Sequence, residues 1–174
     1  MAEYLIVDGY NIINSWPELI ESSKVNLETA RDKLIEKMSN YQGFIGTKVI
    51  IVFDALYVKG SMEKHADING LEIVYTKEGE TADHYIEKFV HRINSENNIV
   101  RVATSDWTEQ QVVLAGGGVR ISAQELLKLV QQTHKDIEGE IRISEQGGSS
   151  AIINRLDTKV YEKLEKMRRD LNNA

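Results

Sequence analysis

The sequence predicts an α/β fold: a mostly parallel central sheet with helices on both faces and one further helix at the C-terminus. Three observations lead there. Short β-branched, apolar runs recur along the chain, and segments with apolar residues at helical spacing separate them. The runs are almost continuously apolar, as strands buried on both faces are. Strands that alternate with helices in this way pack as a parallel sheet.

The first strand covers residues 4–7 (YLIV) and runs straight into Asp8-Gly-Tyr-Asn11. A helix follows in which Leu27, Ala30, Leu34, Met38 and Tyr41 share one face. Residues 49–53 (VIIVF) form the second strand and Leu71–Tyr75 the third. Ala82, Ile86, Phe89, Val90 and Ile93 then recur at helical spacing, with Thr81 as a suitable N-cap. Ile99–Ala103 is the fourth strand and Val119–Ile121 a short fifth. The helix between them is expected to start at a capping box, Thr108-Glu-Gln-Gln111, and to end at the glycines of residues 116–118. Ser122-Ala-Gln-Glu125 opens the next helix in the same manner, carrying Leu126, Leu127 and Val130 inward. Gly147-Gly-Ser-Ser150 reads as a loop before a last helix over residues 154–171. The expected organisation is one α/β domain over residues 1–148 and a helical extension over 149–174, packed on the same domain.

The chain has 174 residues, 41% hydrophobic and 28% charged, enough to bury a core as a single globular domain. No signal peptide and no apolar run of membrane-spanning length are expected, and cysteine is absent. Disulfides, thiolate nucleophiles and cysteine zinc sites are thereby excluded, and a cytoplasmic location is the simplest reading. The net charge of −6 is unusual for a protein that would hold nucleic acid unaided, because phosphate contacts are made by Lys and Arg. Six of the 21 basic and four of the 27 acidic residues lie from Asn154 onward, so the C-terminal stretch is the least acidic part.

In an open parallel sheet, ligands bind beyond the carboxyl ends of the strands. The first strand ends at Asp8, the second at Asp54 and the fourth leads to Asp106, while Asp83 lies in the first turn of the helix after the third strand. Each acid alone is explained by turn or capping chemistry. Together they would repel one another at one sheet edge unless a cation held them. A set of oxygen ligands without histidine or thiolate suits Mg²⁺ or Mn²⁺, and such ions assist in-line attack on phosphorus. Asp8, Asp83 and Asp106 are therefore the principal candidate ligands, with Asp54 beside them. Asn11 is placed to orient a ligand or a water.

Other chemistries fit poorly. No Gly-x-Gly-x-x-Gly follows the first strand and no Walker lysine motif occurs, so a nucleotide cofactor is not expected. A phosphatase with paired aspartates would need an acid where Tyr10 stands, and a phospho-acceptor receiver would need paired acids after the first strand. His84 and His91 share the polar side of one helix with Lys88, which reads as a solvated face. Tyr10, Trp16, Tyr57 and Trp107 lie near the acids. Aromatic rings in such positions stack unpaired bases, although Trp16 and Tyr57 suit a core role equally. Lys59, Lys64 and Lys77 occupy loops at the same edge, within reach of a nucleic-acid backbone.

Leu5-Ile-Val-Asp8-Gly-Tyr-Asn11, Val52-Phe-Asp54-Ala, Glu80-Thr-Ala-Asp83 and Ala103-Thr-Ser-Asp106-Trp-Thr-Glu-Gln110 resemble the motifs of NYN domains, relatives of the PIN nucleases. The resemblance is to their bacterial YacP-like group and extends over nearly the whole chain. It implies a Mg²⁺- or Mn²⁺-dependent endoribonuclease in which Asp8, Asp83 and Asp106 bind metal, with Asn11 and Asp54 beside them. It also implies messenger RNA as substrate and the ribosome as partner. The alternative from a different class is a non-catalytic ribosome- or RNA-binding factor on a degenerate nuclease fold.

Overall fold

A computed structural model describes residues 1–55, 60–94, 96–146 and 158–172. The elements are, in chain order, β1 (Glu3–Asp8), α1 (Gly9–Ile13), α2 (Pro17–Val25), α3 (Leu27–Ile45), β2 (Lys48–Phe53), β3 (Lys64–Ile68), β4 (Leu71–Tyr75), α4 (Ala82–Asn94), β5 (Ile99–Ala103), α5 (Trp107–Ala115), β6 (Val119–Ile121), α6 (Ala123–Gln146) and α7 (Thr158–Asn172). The sheet has six strands in the order β3-β4-β2-β1-β5-β6. All neighbours are parallel except β3, which is antiparallel to β4.

The expected α/β architecture is therefore present, and its two faces follow from the period of two along each strand. Leu5 and Val7 of β1, Val49 and Ile51 of β2 and Ile73 of β4 pack with Ile12, Trp16, Leu34, Met38 and Leu126 on one side. Ile6, Ile50, Val52, Val74 and Val102 pack with Ile86, Phe89, Val90 and Val113 on the other. Helices α1, α2, α3 and α6 thus cover one face, and α4 with α5 covers the other. The chain leaves β1 to build β2 and β4 on one side, then returns to build β5 and β6 on the opposite side. The strand order reverses at β1, and the carboxyl end of β1 is the edge of the crevice where such sheets bind ligands.

The Trp16 indole donates to the Ala123 carbonyl across 2.8 Å, which ties the start of α6 to the start of α2. Helix α3 begins at Asn26, whose side chain accepts from Glu28 N, and ends at Gly46 in the left-handed region, φ 73°. Lys163 of α7 donates to the Phe44 carbonyl at that same end. The expected boundary at residue 148, the loop at 147–150 and the start of the last helix at 154 lie outside the described residues.

Two local differences from the sequence expectation have physical causes. Helix α5 starts two residues early: its cap is Asp106, which accepts from Glu109 N at 3.1 Å, and not Thr108. By contrast, Ser122 and Glu125 form the reciprocal capping box as expected, with Ser122 N on Glu125 Oε2 and Glu125 N on Ser122 Oγ. Strand β3 was not expected, because all five residues of Lys64-His-Ala-Asp-Ile68 are exposed and an edge strand wet on both faces has no apolar alternation. Its turn did carry a signal. Asn69 (φ 54°) and Gly70 (φ 83°) connect Ile68 to Leu71 with the two positive φ angles of a type I′ hairpin.

At Gly9 the chain turns from β1 into α1 directly over Phe53. A Cβ there would stand 2.4 Å from a ring carbon of Phe53, a fully buried side chain. Gly9→Ala is expected to destabilise the protein by about 1–3 kcal/mol, read as a lower denaturation midpoint. An unchanged midpoint would show that the ring yields without cost.

Candidate functional site

Asp8 follows the same alternation as Ile6, so its carboxyl emerges on the side of the sheet covered by α4 and α5. It is 8% exposed and caps the short helix α1 by accepting from Asn11 N. Thr81 caps α4 through His84 N, which places Asp83 in the first turn. Asp54, at the end of β2, accepts from Ala82 N at 3.3 Å and so fixes the start of α4 against the sheet. Asp106 caps α5, and the turn it closes directs the Glu109 carboxyl inward, where that residue is 3% exposed.

The result is a cluster that the sequence did not announce. Carboxylate oxygens of Asp8, Asp83 and Glu109 all lie within 4.8 Å of one another. Asp106 stands close enough for its charge to act on Asp83, while its Oδ1 caps α5 as Asp8 Oδ1 caps α1. Glu109 was missed because Trp107–Ala115 has no amphipathic period: Glu109, Gln110 and Val113 are its buried residues. The available signal was the spacing Asp106-Trp-Thr-Glu109, which fits a capping box as well as the one chosen two residues later.

Burial dominates the electrostatics here. It pushes the Asp8 carboxyl up to about 6, with hydrogen bonds from the Glu109 carboxyl and the Asn11 amide opposing the rise and the charges of Asp83 and Asp54 adding to it. Glu109 is pushed up to about 9, first by burial and then by the charges of Asp8 and Asp83, against a smaller opposing effect of the Thr104 hydroxyl. Asp83 is raised by burial and by Asp106 and Asp54. The buried Glu109 carboxyl faces the carboxyls of Asp8 and Asp83 and the Thr104 hydroxyl, with no cationic side chain among these partners. Such a group must take up protons or a cation to become comfortable. Carboxylate oxygens alone suit a hard divalent cation such as Mg²⁺ or Mn²⁺.

Asn11 serves the loop opposite. Its Oδ1 accepts from Ser105 N at 2.7 Å, Ser105 Oγ accepts from Ala123 N, and Asp106 N donates to Thr104 Oγ1. Gln110, itself buried, donates to the Thr104 carbonyl. Together these bonds fix the β5–α5 loop against α1. The Asn11 side chain thus joins the two segments that carry Asp8 and Glu109.

The remaining candidates divide. Trp107 is 69% exposed immediately after Asp106, and Lys64 and Lys77 are exposed. Lys59 and Tyr57 lie outside the described residues. Trp16 is buried and hydrogen-bonded, which is the core role. Residues 116–118 make the turn from α5 to β6, with Gly117 at φ 83°. His84 and His91 are exposed, as the solvated face required.

A mostly parallel sheet with a carboxylate cluster at its switch point defines a nuclease-like architecture, and comparison with known proteins gives it a family. The chain belongs to the YacP-like NYN domain family, whose model matches residues 5–169. It is 42% identical over 163 residues to the uncharacterized protein YacP of Bacillus subtilis (strain 168), covering 92% of this chain and 95% of that one. The crystal structure of Rae1 (YacP) from Bacillus subtilis superposes with a TM-score of 0.70 at 41% identity, covering 98% of each chain. A single-residue mutant of that protein superposes with a TM-score of 0.78 at 38% identity and the same coverage. Among the described residues no helix is long and apolar enough to cross a membrane.

Proposed function

We propose that the protein is a Mg²⁺- or Mn²⁺-dependent endoribonuclease that hydrolyses phosphodiester bonds of messenger RNA on the ribosome, in the cytoplasm. The observation that carries this reading is the convergence of Asp8, Asp83 and Glu109 at the carboxyl end of β1 in a nuclease-like fold. These three carboxylates hold the cation, with Asp106 and Asp54 alongside them. When bound, the ion supplies an activated water and neutralises charge on the phosphoryl oxygens. Asn11 is a positioning residue: it keeps the Asp106–Glu109 turn facing Asp8 through Ser105 N. Asp54 does the same for Asp83 through the start of α4. Burial of Asp8 and Glu109 keeps water from solvating those two carboxylates, which strengthens their hold on a cation. Lys59, Lys64 and Lys77 meet the RNA backbone, and the exposed Trp107 ring stacks an unpaired base beside the scissile phosphate.

The ribosome explains how an acidic protein reaches an anionic substrate. A chain with net charge −6 gains little from bare phosphates, so delivery of the message by the ribosome both raises the local concentration and limits stray cleavage. The test is cleavage of a message in a translating extract, wild type against Asp83→Asn, with the same message free in buffer alongside. Wild type is expected to cut during translation, faster than it cuts free RNA, and the variant not to cut. Equal rates on free and translated RNA would overturn the ribosomal part. Ribosome binding by both proteins with cleavage by neither would make the chain a binding factor.

A further inference from the structure

Across the β1–α1 turn from the carboxylates, on the α3 side of the same sheet edge, lies a group that the cluster does not use. Tyr10, two residues after Asp8, packs its ring on Phe53 with centroids 5.2 Å apart, and Phe53 stacks on Tyr75 at 5.5 Å. Phe53 and Tyr75 are register partners at the carboxyl ends of β2 and β4. Arg31, in the second turn of α3, donates through Nη1 to the Tyr10 hydroxyl at 3.1 Å, and its charge acts on Tyr75 as well. Tyr10, Arg31 and Tyr75 are each half-buried, so the row opens to solvent along the edge.

Arg31 is held by a neutral partner. Among the described residues no carboxylate is in ion-pair contact with it, although Glu28 and Asp32 lie on the same helix turns. A guanidinium has five donors, of which Tyr10 takes one. Its direction is set by Tyr10, whose own ring is set by the buried Phe53. A fork held by a neutral hydroxyl, with no carboxylate in ion-pair contact, matches a phosphate bidentately. It also stands at an edge that carries Asp8, Asp54, Asp83, Asp106 and Glu109, where its charge joins those of Lys64 and Lys77 in giving an anionic strand somewhere to rest.

We propose that Arg31, oriented by Tyr10 and flanked by Tyr75, binds a second phosphate of the RNA strand, next to the one presented to the Asp8–Asp83–Glu109 cluster. This subsite rests on the nuclease reading above. It makes the strand cross the β1–α1 turn from the α4/α5 face to the α3 face, and it selects a single strand, since the row of rings and the carboxylate cluster flank one narrow crest.

The experiment measures binding of a labelled, unstructured RNA oligonucleotide over a salt series, without divalent ions. Full-length Asp83→Asn is compared with the double variants that add Arg31→Gln, Arg31→Lys or Tyr10→Phe. Arg31→Gln is expected to weaken binding about tenfold and to reduce the slope of log K against log salt by about 0.7, one single-strand phosphate. Arg31→Lys keeps the charge and so the slope, while losing part of the affinity with the fork. Tyr10→Phe keeps the ring packing and the charge, and loses less affinity than Arg31→Gln with the slope unchanged. Thermal midpoints equal to that of Asp83→Asn exclude unfolding as the cause. Unchanged affinity and slope in Arg31→Gln overturn the subsite and leave the nuclease reading standing. Absence of RNA binding by Asp83→Asn at every salt concentration overturns the subsite, and together with absence of cleavage by wild type it overturns the nuclease reading as well.

Discussion

Glu109→Gln is expected to lower RNA cleavage at least about 10²-fold, about 3 kcal/mol of activation barrier, whereas Asp106→Asn loses far less. The ranking follows from what each side chain does. Glu109 contributes buried oxygens to the cluster with Asp8 and Asp83, and an amide removes one of them as an anionic ligand. Asp106 accepts from Glu109 N as the cap of α5, and Asn caps a helix start as well as Asp does. The turn that directs Glu109 inward therefore survives Asp106→Asn. Gln has the shape of a protonated Glu, the form that burial and the charges of Asp8 and Asp83 favour at neutral pH, so Glu109→Gln should fold normally. Rates at saturating Mn²⁺, with thermal midpoints as control, decide the matter. The reverse ranking would hand the ligand role to Asp106, the residue the sequence motifs favoured.

Asp8→Asn is expected to make the metal-free protein more stable at pH 7, by about 1–2 kcal/mol, and to abolish the gain that Mn²⁺ gives the wild type. Ionising Asp8 is harder in the folded chain, where its pKa is about 6, than in the unfolded one, where it is 3.8. The folded state is therefore favoured most below the unfolded value and loses stability as pH rises through the folded one; Glu109 extends the decline towards about 9. Without divalent ions, wild-type stability should fall from about pH 4 to about pH 9, and Asp8→Asn should flatten the first part of that fall. Mn²⁺ at about 100 times its Kd should restore about 2.7 kcal/mol to the wild type alone, more at higher pH because protons compete for the same oxygens. Thermal denaturation over a pH series, with chelator or with Mn²⁺, reads both effects. A variant that is less stable without metal and gains equally from Mn²⁺ would show that Asp8 is only a turn residue.

The parts of the fold that were legible are those where burial imposes a period. The core strands β1, β2 and β4 are sealed by helices on both faces, and β5 on the face of Val100 and Val102, so their apolar runs stand out against the 3.6-residue pattern of α3, α4 and α6. Short helices were harder. Helix α1 has five residues, fewer than two turns, and α2 reveals itself mainly by Pro17 at its first position. Strand β3 escaped because nothing covers it, although Asn69-Gly70 marked its turn.

At the site, Asp8 and Asp83 were readable because a strand end and a helix start are visible in sequence. Glu109 was not, since a buried glutamate in the first turn of a helix looks like an ordinary capping partner until the fold brings Asp8 beside it. A shift of two residues in the start of α5 was enough to hide it. Arg31 was equally silent: its neighbours on α3 are charged, and only the sheet edge gives its direction a meaning.

The three clustered acids belong to positions 8, 83 and 109, on segments that meet only after β5 has paired with β1 and α5 has closed against the sheet. No fragment emerging during synthesis carries the complete set until the chain beyond residue 109 is available to fold. On the proposed activity, cleavage of messages under translation, this ordering is a safeguard. A nascent copy, still tethered to the ribosome that is reading its own transcript, remains harmless until most of its length has been made.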